Sequence, residues 1–177
     1  MPCDGKSFNS DPDFHKNLEG ELKMDSKEFK KFCKDEFTKR GFRKVKTCYY
    51  CQGNGVLCSL YLQHSDFGPM YYINFYFFIG DFTGKEYPSR YDHDFRGRFA
   101  FMSKTSTING GKTFLGALVE YNYYTGDELH EYFEKGFKEM ICPVLEHGKE
   151  EIVLLLKQDK CHANILREEE TLDKLKD

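Results

Sequence analysis

The segment Tyr91-Asp92-His93-Asp94-Phe95-Arg96-Gly97-Arg98 gathers the side chains best suited to chemistry. A histidine among carboxylates is a common setting for a general base, and arginines just beyond it can clamp an anion. On that reading His93 takes a proton and Arg98, beside Arg96, holds the charged group of a substrate, as in a small hydrolase or transferase. The competing reading is a solvated loop with ordinary ion pairs. A second set is neutral. Gln63, Ser65 and Asn74 lie in or beside apolar runs. A buried carboxamide either satisfies backbone groups or lines a pocket, because ligand sites are mostly apolar with a few convergent polar groups.

The third set is Cys48-Tyr-Tyr-Cys51-Gln-Gly53-Asn-Gly55, which resembles the CxxCxGxG half-site in the zinc region of Hsp40-type chaperones. A structural zinc needs a second pair of ligands, and only Cys58 and His64 are near. Two cysteines three apart on a strand also point to opposite faces. No metal and no cofactor is therefore expected. The chain has no P-loop, GxSxG, HExxH or dinucleotide fingerprint.

Positioning these residues falls to a helix and a set of hairpins. Asp25 caps a helix over about 26–40, Glu28 completes a capping box, and Phe29, Phe32, Cys33 and Phe37 form its apolar stripe. Gly41 stops it and Phe42 follows. Strands 47–51 and 56–64 flank Asn54-Gly55, read as a type I′ turn that sets Cys51 opposite Cys58 and Tyr49 opposite Leu60. The run Met70–Phe82 is a strand whose odd positions, Tyr71 to Ile79, are the more apolar. Its even positions Tyr72, Asn74 and Tyr76 join Tyr61 and Gln63 on a face that core packing does not require. Residues 80–97 read as a loop. Two more strands are expected at 98–102 and 113–121, around an Asn109-Gly110-Gly111 turn. A helix over 126–147 is broken or kinked at Pro143, and a short helix follows over 150–160.

The chain has 177 residues with 40% hydrophobic and 16% aromatic content, 17 Phe, 12 Tyr and no Trp. Such a composition gives one globular domain over 25–160, with a loose tail at 1–24 and a charged, helix-capable tail at 161–177. Met24 is a candidate native start, since Glu19-Gly20-Glu21 can be encoded by a purine-rich run. The net charge of −3 gives no reason to expect nucleic acid or an anionic membrane. No apolar run spans a bilayer and no secretory signal precedes the domain. Seven cysteines, an odd number without a signal, read as reduced thiols in a cytoplasmic protein. Cys161-His162 falls in the tail, outside any catalytic context.

The order of features resembles a bacterial family known as the domain of unknown function numbered forty-three-oh-four. The matching pieces are Gly41-Phe42, Leu62-Gln63-His64-Ser65, Tyr72-Ile73-Asn74 and His93 with Arg98, and the resemblance covers about residues 25–158. It implies an α+β fold and no established activity. The family often carries tryptophans after the His/Arg segment; here Phe114 or Tyr121 would have to take their place.

The reading is an α+β domain: an antiparallel sheet of about four to five strands, with an N-terminal helix and C-terminal helices chiefly on one face. The leading function is a non-catalytic binding module. Its site is Tyr61, Gln63, Ser65, Tyr72 and Asn74, bordered by His93, Arg96 and Arg98, for a protein partner or a small anionic ligand. The alternatives are the His93/Arg98 enzyme and a homodimer that buries the aromatic face.

Overall fold

A computed structural model describes residues 24–104, 115–158, 164–165 and 168–176. Residues 1–23 of the tail expected at 1–24, the Asn109–Gly111 turn, Phe114 and the Cys161-His162 pair lie outside them, and Met24 itself is buried in the core.

Helix α1 (Ser26–Lys39) starts as its residues require: the Asp25 carboxylate accepts from the Lys27 and Glu28 amides, and Glu28 caps the Asp25 amide in return. It ends where Gly41 turns left-handed (φ +84) and Phe42 N–H reaches back to Phe37 O at 3.1 Å. Phe29, Cys33 and Phe37 are fully buried on one side.

Strands β1 (Arg43–Val45), β2 (Cys48–Gln52), β3 (Val56–His64), β4 (Tyr71–Ile79) and β5 (Phe95–Arg98) follow as an antiparallel meander. Two short strands, β8 (Leu118–Val119) against β4 and β9 (Asn164–Ile165) against β5, complete the sheet. The register pairs Cys51 with Cys58 and Tyr49 with Leu60, as the hairpin spacing requires. The turn itself is not type I′. Only Gly55 has positive φ, and the Asn54 amide is instead tied to Leu145 O at 2.8 Å. Gly53 lies so close to Leu145 that a Cβ there would collide with its backbone. The glycines of the CxxCxGxG string thus serve turn and helix packing. Its cysteines divide between the two faces of the sheet, Cys51 toward the helices and Cys48 away.

The loop expected at 80–97 ends early, because Phe95–Arg98 is a strand with Phe95 and Gly97 inward. Gly97 reads as a break in sequence, yet it is required here: the Phe75 ring lies over it, where a Cβ would be 2.8 Å from Cε1 and Cε2. The expected strand 98–102 breaks at Phe99, whose N–H bonds to Ile73 O at 3.0 Å. Phe101–Met102 (β6) pairs instead with Leu115–Gly116 (β7) as a separate ribbon. The expected strand 113–121 is therefore two pieces, β7 and β8, serving different sheets.

Helix α2 (Gly126–Gly136) runs through a π turn at Phe137–Ile141 into α3 (Cys142–His147). The disruption expected from Pro143 falls here. Pro143 sits in the first turn of α3, and the Cys142 N–H reaches Phe137 O. Helices α4 (Lys149–Gln158) and α5 (Glu168–Lys176) close the chain. The main core joins α1, α2 and the inward residues of β2–β5 through stacked and edge-on rings, among them Phe37, Phe99, Phe133 and Phe137. The architecture is α+β, an antiparallel sheet with α1 and α2 against one face. No helix among the described residues is long and apolar enough to cross a membrane.

Candidate functional site

The opposite face of the sheet is built by the alternation of the same strands. Register places Cys48, Tyr61, Asn74 and Arg98 in one row across β2–β5, and Tyr50, Ser59, Tyr76 and Arg96 in the next. At about 4.8 Å per strand such a row spans about 14 Å. Gln63 and Tyr72 are directly paired beyond the first row.

The polar members of this face form one connected array. Asn74, 5% exposed, donates from Nδ2 to Gln63 Oε1 at 3.3 Å. Its Oδ1 accepts from Arg98 Nε at 3.0 Å. The Arg98 guanidinium lies over the Tyr72 ring, 4.1 Å from its centre, and that of Arg90 lies 4.0 Å from the centre of Tyr61. Each such contact contributes about 0.5–1 kcal/mol where partly solvated and holds the planar cation in place. Among the described residues, neither these two arginines nor the exposed Arg96 pairs with a carboxylate.

The chain between β4 and β5 covers the rest of the face. Tyr87 stacks on Tyr50 with centroids 4.5 Å apart and planes 5° from parallel, and Phe82 packs edge-on against Phe78. Burial raises the Tyr50 phenol to about 12, so it stays neutral and donates to Pro88 O at 3.3 Å. A hollow of about 580 Å³ opens between this segment and the β1–β2 turn, with Lys46, Cys48, Tyr50, Tyr87, Arg90 and Tyr91 in its wall.

Five of the residues singled out in the sequence come together: Tyr61, Gln63, Tyr72, Asn74 and Arg98. Arg96 stands on the same face one row away, opposite Tyr76. Ser65 does not join them. It is 2% exposed, and its Oγ accepts from the Phe67 amide at 3.2 Å inside the β3–β4 turn. His93 is 3% exposed, with its ring against Tyr76 at 4.9 Å. Its Nδ1 lies 2.5 Å from Arg90 O, so Nδ1 carries the proton and Nε2 is a lone pair, buried and without a hydrogen-bond partner among the described residues. Burial pushes its pKa down, and nearby Arg96 adds to that. Sequence reasoning missed Arg90. The available signal was the aromatic–basic string Tyr87-Pro-Ser-Arg90-Tyr91, which has no periodicity to place it on a face.

The fold and this face define a class: a small α+β domain with arginines laid on tyrosines along an antiparallel sheet. The model of the domain of unknown function DUF4304 matches residues 33–147, and the chain belongs to that family. No curated protein and no solved structure matches it.

Proposed function

We propose that the chain is a non-catalytic binding module that holds an anionic ligand on the Tyr61/Gln63/Tyr72/Asn74/Arg98 face, with Arg90 and Arg96 at its border. One observation carries the reading. Three arginines share a face without a carboxylate among the described residues, and two of them stand over tyrosine rings. Arg90 donates from one terminal nitrogen to the Tyr91 hydroxyl, whereas the Arg98 terminal nitrogens have no hydrogen-bond partner among the described residues, and such an open guanidinium edge suits a carboxylate or phosphate. The amide of Asn74 fixes the guanidinium of Arg98 through Nε and leaves its outer edge to the ligand. Two features weigh against catalysis and against a dimer on this face. The Nε2 of His93 is enclosed, out of reach of a substrate. The β4–β5 segment packs Tyr87 on Tyr50 and Phe82 on Phe78, on surface that a second copy would have to bury.

The test is a thermal-shift comparison with phosphate, citrate and adenosine monophosphate as probes. A ligand at about a hundred times its Kd adds about 2.7 kcal/mol to stability. At least one probe should raise the melting temperature of the wild type, and Arg90→Ala/Arg98→Ala should lose that rise while melting cooperatively. An equal rise in the double variant, or no rise with any probe, overturns the reading.

A further inference from the structure

A second hollow, about 660 Å³, lies between α1 and the β1 edge of the sheet. Its wall carries Lys30, Lys31, Lys34, Lys44 and Lys46, against the single acid Asp35. Helical spacing accounts for the first three. Phe29, Cys33 and Phe37 commit one side of α1 to the core, so residues 30, 31 and 34 face out. Lys44 comes from β1 and Lys46 from the turn after it, where Lys46 itself is left-handed (φ 55).

Among the described residues, Lys30, Lys34, Lys44 and Lys46 have no carboxylate partner. Asp35 is occupied by Lys31 at 3.0 Å. Lys30 and Lys44 stand over Tyr71 and Tyr49, 5.8 and 5.7 Å from the ring centres. Lys30 and Lys34 are like charges four apart on one helix, a spacing at which they repel. A cluster of this kind on a chain of net charge −3 marks a surface shaped for an anion.

The arrangement also selects the kind of anion. Tyr49 and Tyr71 are each 4% exposed, and the third tyrosine of the wall, Tyr61, already carries the Arg90 guanidinium over its ring, so the groove offers no open ring on which bases stack, as single-stranded nucleic acid requires. The lysines are ranged along about 6 Å of α1, one residue of β1 and one of the turn after it, not converged on a point as for one phosphate. Strand β1 ends the sheet, and all three of its residues are exposed. An edge strand can accept an extended chain through its free backbone groups. Lysines on such an edge repel another basic edge, a second copy of β1 included, and admit an acidic one.

We propose that the groove between α1 and β1 docks an extended acidic segment of a partner protein, with its carboxylates against Lys30, Lys34, Lys44 and Lys46. This groove meets the arginine face at Tyr61 and Lys46, but none of the three arginines lines it, and its positive charges come from lysines alone.

The probe is a fluorescein-labelled oligoglutamate of about ten residues, long enough at about 3.3 Å per residue to span the groove. Anisotropy should show saturable binding that weakens as salt rises from about 0.05 to 0.3 M. Lys34→Glu/Lys44→Glu should weaken it at least about tenfold, since rim charges govern such encounters, and Arg98→Ala should leave it unchanged. The milder pair Lys30→Gln/Lys46→Gln repeats the test without reversing charge. Binding that survives both lysine pairs overturns the proposal. So does tighter binding of an oligothymidine of the same length, or a change of oligomeric state in the lysine variants.

Discussion

Asn74 and Arg98 face each other across β4 and β5, and the Asn74 carbonyl accepts from Arg98 Nε at 3.0 Å while its amino group donates to Gln63. One nearly buried amide therefore orders residues on three strands. Asn74→Ala should lower stability by about 1–2 kcal/mol, the usual consequence of leaving hydrogen-bonding partners unmatched near the surface. Arg98→Ala should change stability by less than about 1 kcal/mol, because half-exposed polar contacts contribute little, and should act on anion binding instead. Urea denaturation separates the two. A loss above about 3 kcal/mol in both variants would make them structural residues only.

His93 gives a pH dependence whose sign is fixed by its burial. The folded pKa is depressed, with desolvation the leading cause. Above the unfolded value near 6.5 both states are neutral and the group contributes nothing. As pH falls below it, the unfolded chain binds a proton that the folded chain refuses, so stability drops. The slope is at most about 1.4 kcal/mol per pH unit. His93→Asn keeps a donor toward Arg90 O and should flatten the profile between about pH 6.5 and 5.5. An unchanged slope in that variant would show that the histidine is not held neutral.

Gly97 tests the packing of β5 on β4. A methyl group there runs into the tip of the fully buried Phe75 ring, against Cζ and with Cε1 and Cε2 at 2.8 Å. Gly97→Ala should cost about 1–3 kcal/mol through displacement of the strand. Gly126→Ala, with nothing within 4 Å, is the control and should stay within about 1 kcal/mol. Equal melting temperatures for the two variants would refute the close approach.

Asp94 is a junction rather than an isolated charge. Its Oδ2 accepts from the Ile79 amide at 2.8 Å, Oδ1 pairs with Lys174 of α5 at 2.5 Å, and its carbonyl accepts from Thr171. Asp94→Ala leaves the part-buried Ile79 amide unmet and should cost about 1–3 kcal/mol. Lys174 is 46% exposed, and Lys174→Ala should cost less than about 1 kcal/mol. Chemical denaturation of both variants checks the order, and a larger loss for Lys174→Ala would reverse the assignment.

The sequence was most legible where local chemistry decides structure. The Asp25/Glu28 box, the Gly41 stop and the period-two face of β4 are local signals, and each appears in the fold where it was expected. Legibility failed where a distant group decides. Gly97 looks like a break until Phe75 is placed over it. Asn54 looks like half of a type I′ turn until Leu145 claims its amide. The arginine face was half legible for the same reason. Alternation put Tyr61, Gln63, Tyr72 and Asn74 on one face and Arg98 was expected only at its border, whereas Arg90 reaches Tyr61 from an irregular segment that no period describes.

The most direct test of the arginine face is the side-chain Nε–Hε resonance of Arg98, followed by ¹⁵N NMR during titration with inorganic phosphate. If this face holds anions, that resonance and the Asn74 amide protons shift together and saturate, and Arg98→Ala removes the shift of the Asn74 amide. If phosphate moves other resonances and leaves both of these in place, the face is not an anion site and the account is wrong.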